Sequence, residues 1–131
     1  MQERTHMVKP LARVLLGVAA LLLLVGGVLH AIAFSGALSV LSTDPMPPFY
    51  SGSFKALWLI DSATLVSLAA LLVFVVVRPN AATRWVLVFL ALIPTATAAL
   101  IYAFVGPFFP AHMFVTAAIA VVVAGSMWHV S

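Results

Sequence analysis

The chain contains no cysteine, which removes disulfide scaffolds and thiol redox enzymes from consideration, the quinone-linked four-span oxidoreductases included. It is almost as poor in charge. Only 7% of its 131 residues are Asp, Glu, Lys or Arg, whereas a soluble domain carries about 25%. So few charges cannot cover a water-facing surface, and a soluble globular domain is excluded. Disorder is excluded from the other side, because 65% of the residues are hydrophobic and disordered chains are depleted in such residues. Recognisable chemistry is also missing: there is no nucleotide-binding loop, no His-Glu-x-x-His metalloprotease helix and no nucleophile elbow. The net charge of +3 includes no basic cluster interleaved with aromatics, so nucleic acid is not an expected partner.

What the chain has in abundance is hydrophobic length. Four apolar runs, at residues 14–34, 56–77, 85–105 and 111–130, are each about 20 residues long, enough for one helical crossing of a ~30 Å hydrocarbon core. Strands of a membrane barrel would instead alternate over ~10 residues. The sequence therefore predicts an all-α integral membrane protein. Its expected architecture is an antiparallel four-transmembrane-helix bundle forming one domain over residues 1–131. Small residues at Ala31 and Ala33 could mimic a signal-peptide cleavage site. The first run exceeds a signal core of 7–15 residues, so it is expected to remain as a helix.

Orientation follows from lysine and arginine. Arg4, Lys9 and Arg13 precede the first span, and Arg78 and Arg84 flank the second connection. Lys55 alone lies in the first connection, and the third has no cation. The positive-inside rule then predicts a multi-pass protein of the plasma (inner) membrane with both termini cytoplasmic. Connections one and three, outside, are rich in proline and aromatics, and Asp44–Gly52 is expected to be non-helical because of its prolines.

Lipid tails supply no hydrophobic drive between helices, so close approach at small residues is expected to hold the bundle. Candidate stripes are Ala91, Thr95, Ala99 and Ala103 on the third span, Gly27, Ala31 and Ser35 on the first, and Thr116, Ala120 and Ala124 on the fourth. Pro94 should kink the third span, with Thr95 and Thr97 re-satisfying the groups it frees.

An ionisable group inside a span costs on the order of 2.5–3.5 kcal/mol at the helix centre and calls for a function or a partner. His30, Asp61 and His112 come from three different spans, yet all fall within roughly 8 Å of the same outer boundary at 1.5 Å per residue. Trp58 and Leu65 share the face of Asp61, Ser62 adjoins it, and Lys55 and Tyr102 lie at the same level. His6 and His129 belong to the opposite side. The expectation is an outward-facing pocket of His30, Asp61 and His112, with Trp58, Lys55 and Tyr102 as further binding residues. Two imidazoles and a carboxylate have the composition of a metal site, and haem between His30 and His112 is a variant. One alternative is an outer-leaflet enzyme with Asp61 and His30 as catalytic pair and a lipid-like substrate. Another is a non-catalytic accessory subunit bound to a membrane-protein partner, or a homo-oligomer. A transporter is the least supported reading, because no paired broken helices or midplane charges mark a pathway. A structural ion pair of Asp61 with His30 or Lys55 would account for the carboxylate without any ligand.

Overall fold

The structure is a computed structural model that describes residues 2–43 and 46–128, with side chains from Pro10 onward. Asp44 and His129, the predicted end of the fourth span at Val130, and the side chains of Arg4, His6 and Lys9 lie outside the described residues. The described chain is almost entirely helical: α1 (Gln2–Thr43), α2 (Pro48–Val77), α3 (Arg84–Leu90), α4 (Leu92–Phe104) and α5 (Phe109–Ser126), with a short 3₁₀ turn at Pro79–Ala81. Four helices are long and apolar enough to cross a membrane, α3 and α4 together making one of them.

Each predicted span is present, but the first two are much longer than expected. Residues 35–43 continue α1, and their hydroxyls turn back onto the helix. Ser35 donates to the Ile32 carbonyl, Ser39 to Gly36, and Ser42 to Ser39. Phe49–Lys55 continue α2 because Pro48 stands at its first turn, where a missing N–H costs nothing. The expectation that the prolines keep all of Asp44–Gly52 non-helical is corrected accordingly: Pro48 starts a helix.

Neighbouring helices run in opposite directions. Gly27 of α1 abuts Leu65, Val66 and the Ser62 carbonyl of α2, while Gly125 of α5 abuts Leu87 and the Arg84 carbonyl of α3. The core is a seam of small and branched residues. Ala12, Leu16, Ala19, Ala20 and Leu23 of α1 meet Leu65, Leu68, Leu72 and Val75 of α2 and Ala117, Val121 and Ala124 of α5. Their spacing of three and four is the helical period that places them on one face. Just after α5, the Trp128 indole N–H donates to the Ala82 carbonyl at 3.1 Å and ties that end of the helix to the second connection.

The predicted small-residue stripes are buried only in part. Gly27, Ala91, Ala120 and Ala124 pack inside, while Ala31, Ser35, Thr95, Ala99, Ala103 and Thr116 face outward. On the third span the buried residues beyond Ala91 are Pro94 and Ala98, one position out of phase with the expected stripe, because the helix is interrupted there. Pro94 has no N–H for the Leu90 carbonyl, and the helix divides at Ala91. The threonines do not compensate that carbonyl. Thr95 donates to the Ala91 carbonyl at 2.7 Å and Thr97 to the Ile93 carbonyl at 3.0 Å.

The arrangement of spans is open on one side. α1 packs against α2 and α5, and α5 also packs against α3 and α4. Between α2 and the third span lies a groove of about 410 Å³ instead of a packed interface.

Candidate functional site

The end of the bundle where α4 gives way to α5 holds a cavity of about 600 Å³ to which α1, α2, α4 and α5 all contribute. A volume of this size is in the range of small-molecule sites. Two glycines and a stiff turn make the space. Gly26 lets the Phe114 ring approach α1 so closely that a Cβ there would lie 2.9 Å from the ring. Gly106, at φ 95°, closes α4 tightly before Phe108 and Pro110 enter α5. Leu100, Ile101, Met113 and Phe114 form apolar walls, and His30, Asp61 and Thr97 supply the polar groups.

His30 and Asp61 meet, as expected of a carboxylate within an apolar helix. His30 Nδ1 lies 3.6 Å from Asp61 Oδ2 and 2.9 Å from Ser62 Oγ. The Ser62 hydroxyl has one proton, and the Trp58 carbonyl 3.3 Å away can only accept it. With hydrogen on Nδ1, Ser62 accepts from His30 while donating to the Trp58 carbonyl, and Nε2 is left as an acceptor. The neighbouring carboxylate favours the same tautomer. Trp58 then fixes the ring from above, stacked at 4.4 Å between centroids and 7° between planes, while its own N–H donates to the His30 carbonyl at 2.8 Å.

The other expected site residues are placed elsewhere. His112 does not line the cavity. It is exposed, and its Nδ1 lies 2.6 Å from the hydroxyl of Tyr102, which is likewise exposed on the outside of the α4–α5 pair. The reason is helical phase: Ala111, Met113 and Phe114 take the inward face at the start of α5, leaving position 112 outside. Lys55 is exposed on α2 and takes no part in the His30–Asp61 contact. Of the predicted set His30, Asp61, His112, Trp58, Lys55 and Tyr102, the cavity unites His30, Trp58 and Asp61.

This geometry bears on the metal and catalytic readings. Among the described residues, no three His, Cys, Asp or Glu side chains come together to hold a metal ion. Haem held between His30 and His112 would need both imidazoles to address one space, and they do not. A nucleophile–base–orienter triad needs serine on one imidazole nitrogen and the carboxylate on the other. Here Ser62 and Asp61 both address Nδ1, and Ser62 is only 6% exposed.

Sequence reasoning missed Thr97, Leu100 and the Phe114–Gly26 contact. The adjacent Gly26 and Gly27 were the available signal, since glycine pairs in a span permit close approach on two faces at once. No known protein family, no curated protein sequence and no solved structure matches the chain. A functional reading therefore rests on the geometry of this site.

Proposed function

We propose that the chain is a multi-pass protein of the plasma membrane, with both termini cytoplasmic, whose outward-facing pocket binds a small, largely apolar molecule through one hydrogen-bond-donating or cationic group. The orientation rests on the distribution of lysine and arginine. The observation that carries the binding reading is the cavity of about 600 Å³ lined by both His30 and Asp61. Its apolar walls suit the body of a ligand. Its polar groups are the Asp61 carboxylate, the Thr97 hydroxyl, whose hydrogen goes to the Ile93 carbonyl, and His30, which in the Nδ1–H tautomer presents Nε2; all three are acceptors, so the complementary ligand brings donors.

Binding is tested with cyclohexylamine titrated calorimetrically into the protein in phosphatidylcholine nanodiscs. Saturable binding is expected, lost or weakened at least tenfold in Asp61→Asn and in Leu100→Phe, which narrows the cavity. Absence of binding to the native protein, or binding indifferent to both changes, would refute the reading. Orientation is tested separately, the absence of cysteine providing a clean background. A cysteine at Ser53 should react with an impermeant maleimide on intact cells, and one at Ala81 should not; the reverse pattern would invert the topology.

A further inference from the structure

We propose that the ligand of this pocket is a single-chain cationic amphiphile that enters sideways from the membrane, between α2 and α4, and leaves its chain lying in the groove between α2 and the third span. The inference deepens the binding reading above and rests on it.

The groove is the missing wall of the bundle. Its volume of about 410 Å³ lies between Ile60, Thr64, Ser67 and Leu71 on α2 and Leu90 and Ile93 on the third span. It ends beside the cavity, with lining residues that are distinct from those of the cavity but adjoin them along both helices. Ile60 lines the groove and its neighbour Asp61 lines the cavity, while Ile93 lines the groove and Thr97, one turn later, lines the cavity. From Ile60 to Leu71 the groove follows α2 for roughly 16 Å at 1.5 Å per residue, leading away from the polar pair toward the middle of the span. A chain lying there with its head at Asp61 has the orientation of a lipid in that leaflet.

The groove is apolar and built to stay open. Thr64, whose hydroxyl would otherwise present a polar group, donates to the Ile60 carbonyl at 2.8 Å. Leu90 and Ile93 bracket the interruption at Ala91, so the break shapes the wall that a straight helix would present differently. Head chemistry is set by charge. Asp61 is the one formally charged residue lining the cavity apart from its imidazole neighbour. A carboxylate repels phosphate and fatty-acid heads, and it attracts an ammonium that can also donate to His30 Nε2.

The experiment uses the full chain in phosphatidylcholine nanodiscs with dodecylamine bearing a photoreactive diazirine at its chain end, the labelled peptides being mapped after illumination. Labelling is expected at Leu68, Leu71 or Leu90. It should fall at least tenfold in Asp61→Asn and in the groove-filling pair Ala63→Phe with Ser67→Phe, both exposed positions. It should persist in Ala99→Phe, which adds one such ring on an outward face of α4. Excess unlabelled dodecylamine should displace the probe, and dodecanoate should not. Labelling unchanged by the filled groove, with cyclohexylamine still bound in an Asp61-dependent manner, overturns the lateral chain site and leaves the pocket standing. Equal displacement by dodecanoate overturns the cationic head. Failure of cyclohexylamine to bind the native protein refutes the pocket itself.

Discussion

Trp58 holds His30 by two contacts at once: its indole ring stacks on the imidazole, and its N–H donates to the carbonyl of the same residue. Backbone and side chain of His30 are thus fixed by one partner from the facing helix. Ser62, one turn further along α2, then hydrogen-bonds the imidazole Nδ1 at 2.9 Å. The polar pair in the cavity is therefore oriented before any ligand arrives, which removes part of the ordering cost of binding.

A hydrogen on Nδ1 satisfies both Ser62 and Asp61, and this tautomer can be tested directly. Nitrogen-15 NMR of the His30 imidazole should show hydrogen on Nδ1 in the neutral ring. Ser62→Ala removes the acceptor, and an intramembrane hydrogen bond averages about 0.6 kcal/mol. The tautomer ratio should then shift by roughly threefold toward Nε2 at that energy. A native protein already dominated by Nε2–H would contradict the donor assignment.

The two glycines of α1 that face other helices should behave differently from one that does not. A Cβ at Gly27 would meet Val66 Cγ2 at 3.0 Å and the Ser62 carbonyl at 3.1 Å, the latter being backbone that cannot rotate away. At Gly26 the obstacle is the Phe114 ring, which can turn. Gly17 has nothing within 4 Å. Gly27→Ala should cost about 1–3 kcal/mol by overpacking, Gly26→Ala less, and Gly17→Ala nothing or a gain of up to ~1 kcal/mol from helix propensity. Unfolding in mixed micelles with increasing dodecyl sulfate measures all three. Equal losses at positions 17 and 27 would deny that α1 and α2 are held by close approach.

The number and place of the spans were legible because hydropathy over about 20 residues is a collective property that no single packing choice can undo. The ends of α1 and α2 were not, since Ser35–Thr43 and Phe49–Lys55 carry too little hydrophobic length to signal a helix, and Pro48 at the first turn of α2 reads equally as a breaker. The common level expected of His30, Asp61 and His112 was measured from the ends of the apolar runs, whereas α1 continues to Thr43 and α2 begins at Pro48. Facing was not legible. A rotation of one residue, about 100° around a helix, decides whether position 112 or 113 looks inward, and that rotation is set by partners such as Gly26 that are remote in sequence. The same limit explains the third span, where the predicted stripe fails at the interruption.

Because His112 pairs with Tyr102 on the outside, neither should influence the cavity. Tyr102→Phe removes a hydrogen bond between exposed groups and should change stability by less than ~0.5 kcal/mol. Cyclohexylamine affinity should be unaltered by it and by His112→Ala, whereas Met113→Phe, on the cavity wall, should weaken binding severalfold. Loss of binding in His112→Ala would return that imidazole to the site.

Pro94 is buried and stands three residues after the point where the third span divides, the place expected for an interruption by a residue that offers the Leu90 carbonyl no N–H. Pro94→Ala restores the N–H that the Leu90 carbonyl lacks, so the helix should run unbroken through Ala91. Spin labels on cysteines introduced at Phe89 and Phe104, both strongly exposed, report the result by pulsed dipolar spectroscopy. The backbone separation of these positions in a straight helix is about 22 Å at 1.5 Å per residue. The native protein should give a shorter distance than Pro94→Ala, whose distribution should move toward the straight-helix value. Straightening also carries Leu90 and Ile93 to new positions on the groove wall, so chain-end labelling by the dodecylamine probe should fall in the same variant while cyclohexylamine continues to bind. An identical distance in the two proteins would mean that packing of α3 and α4 against α5, and not the proline, sets the bend.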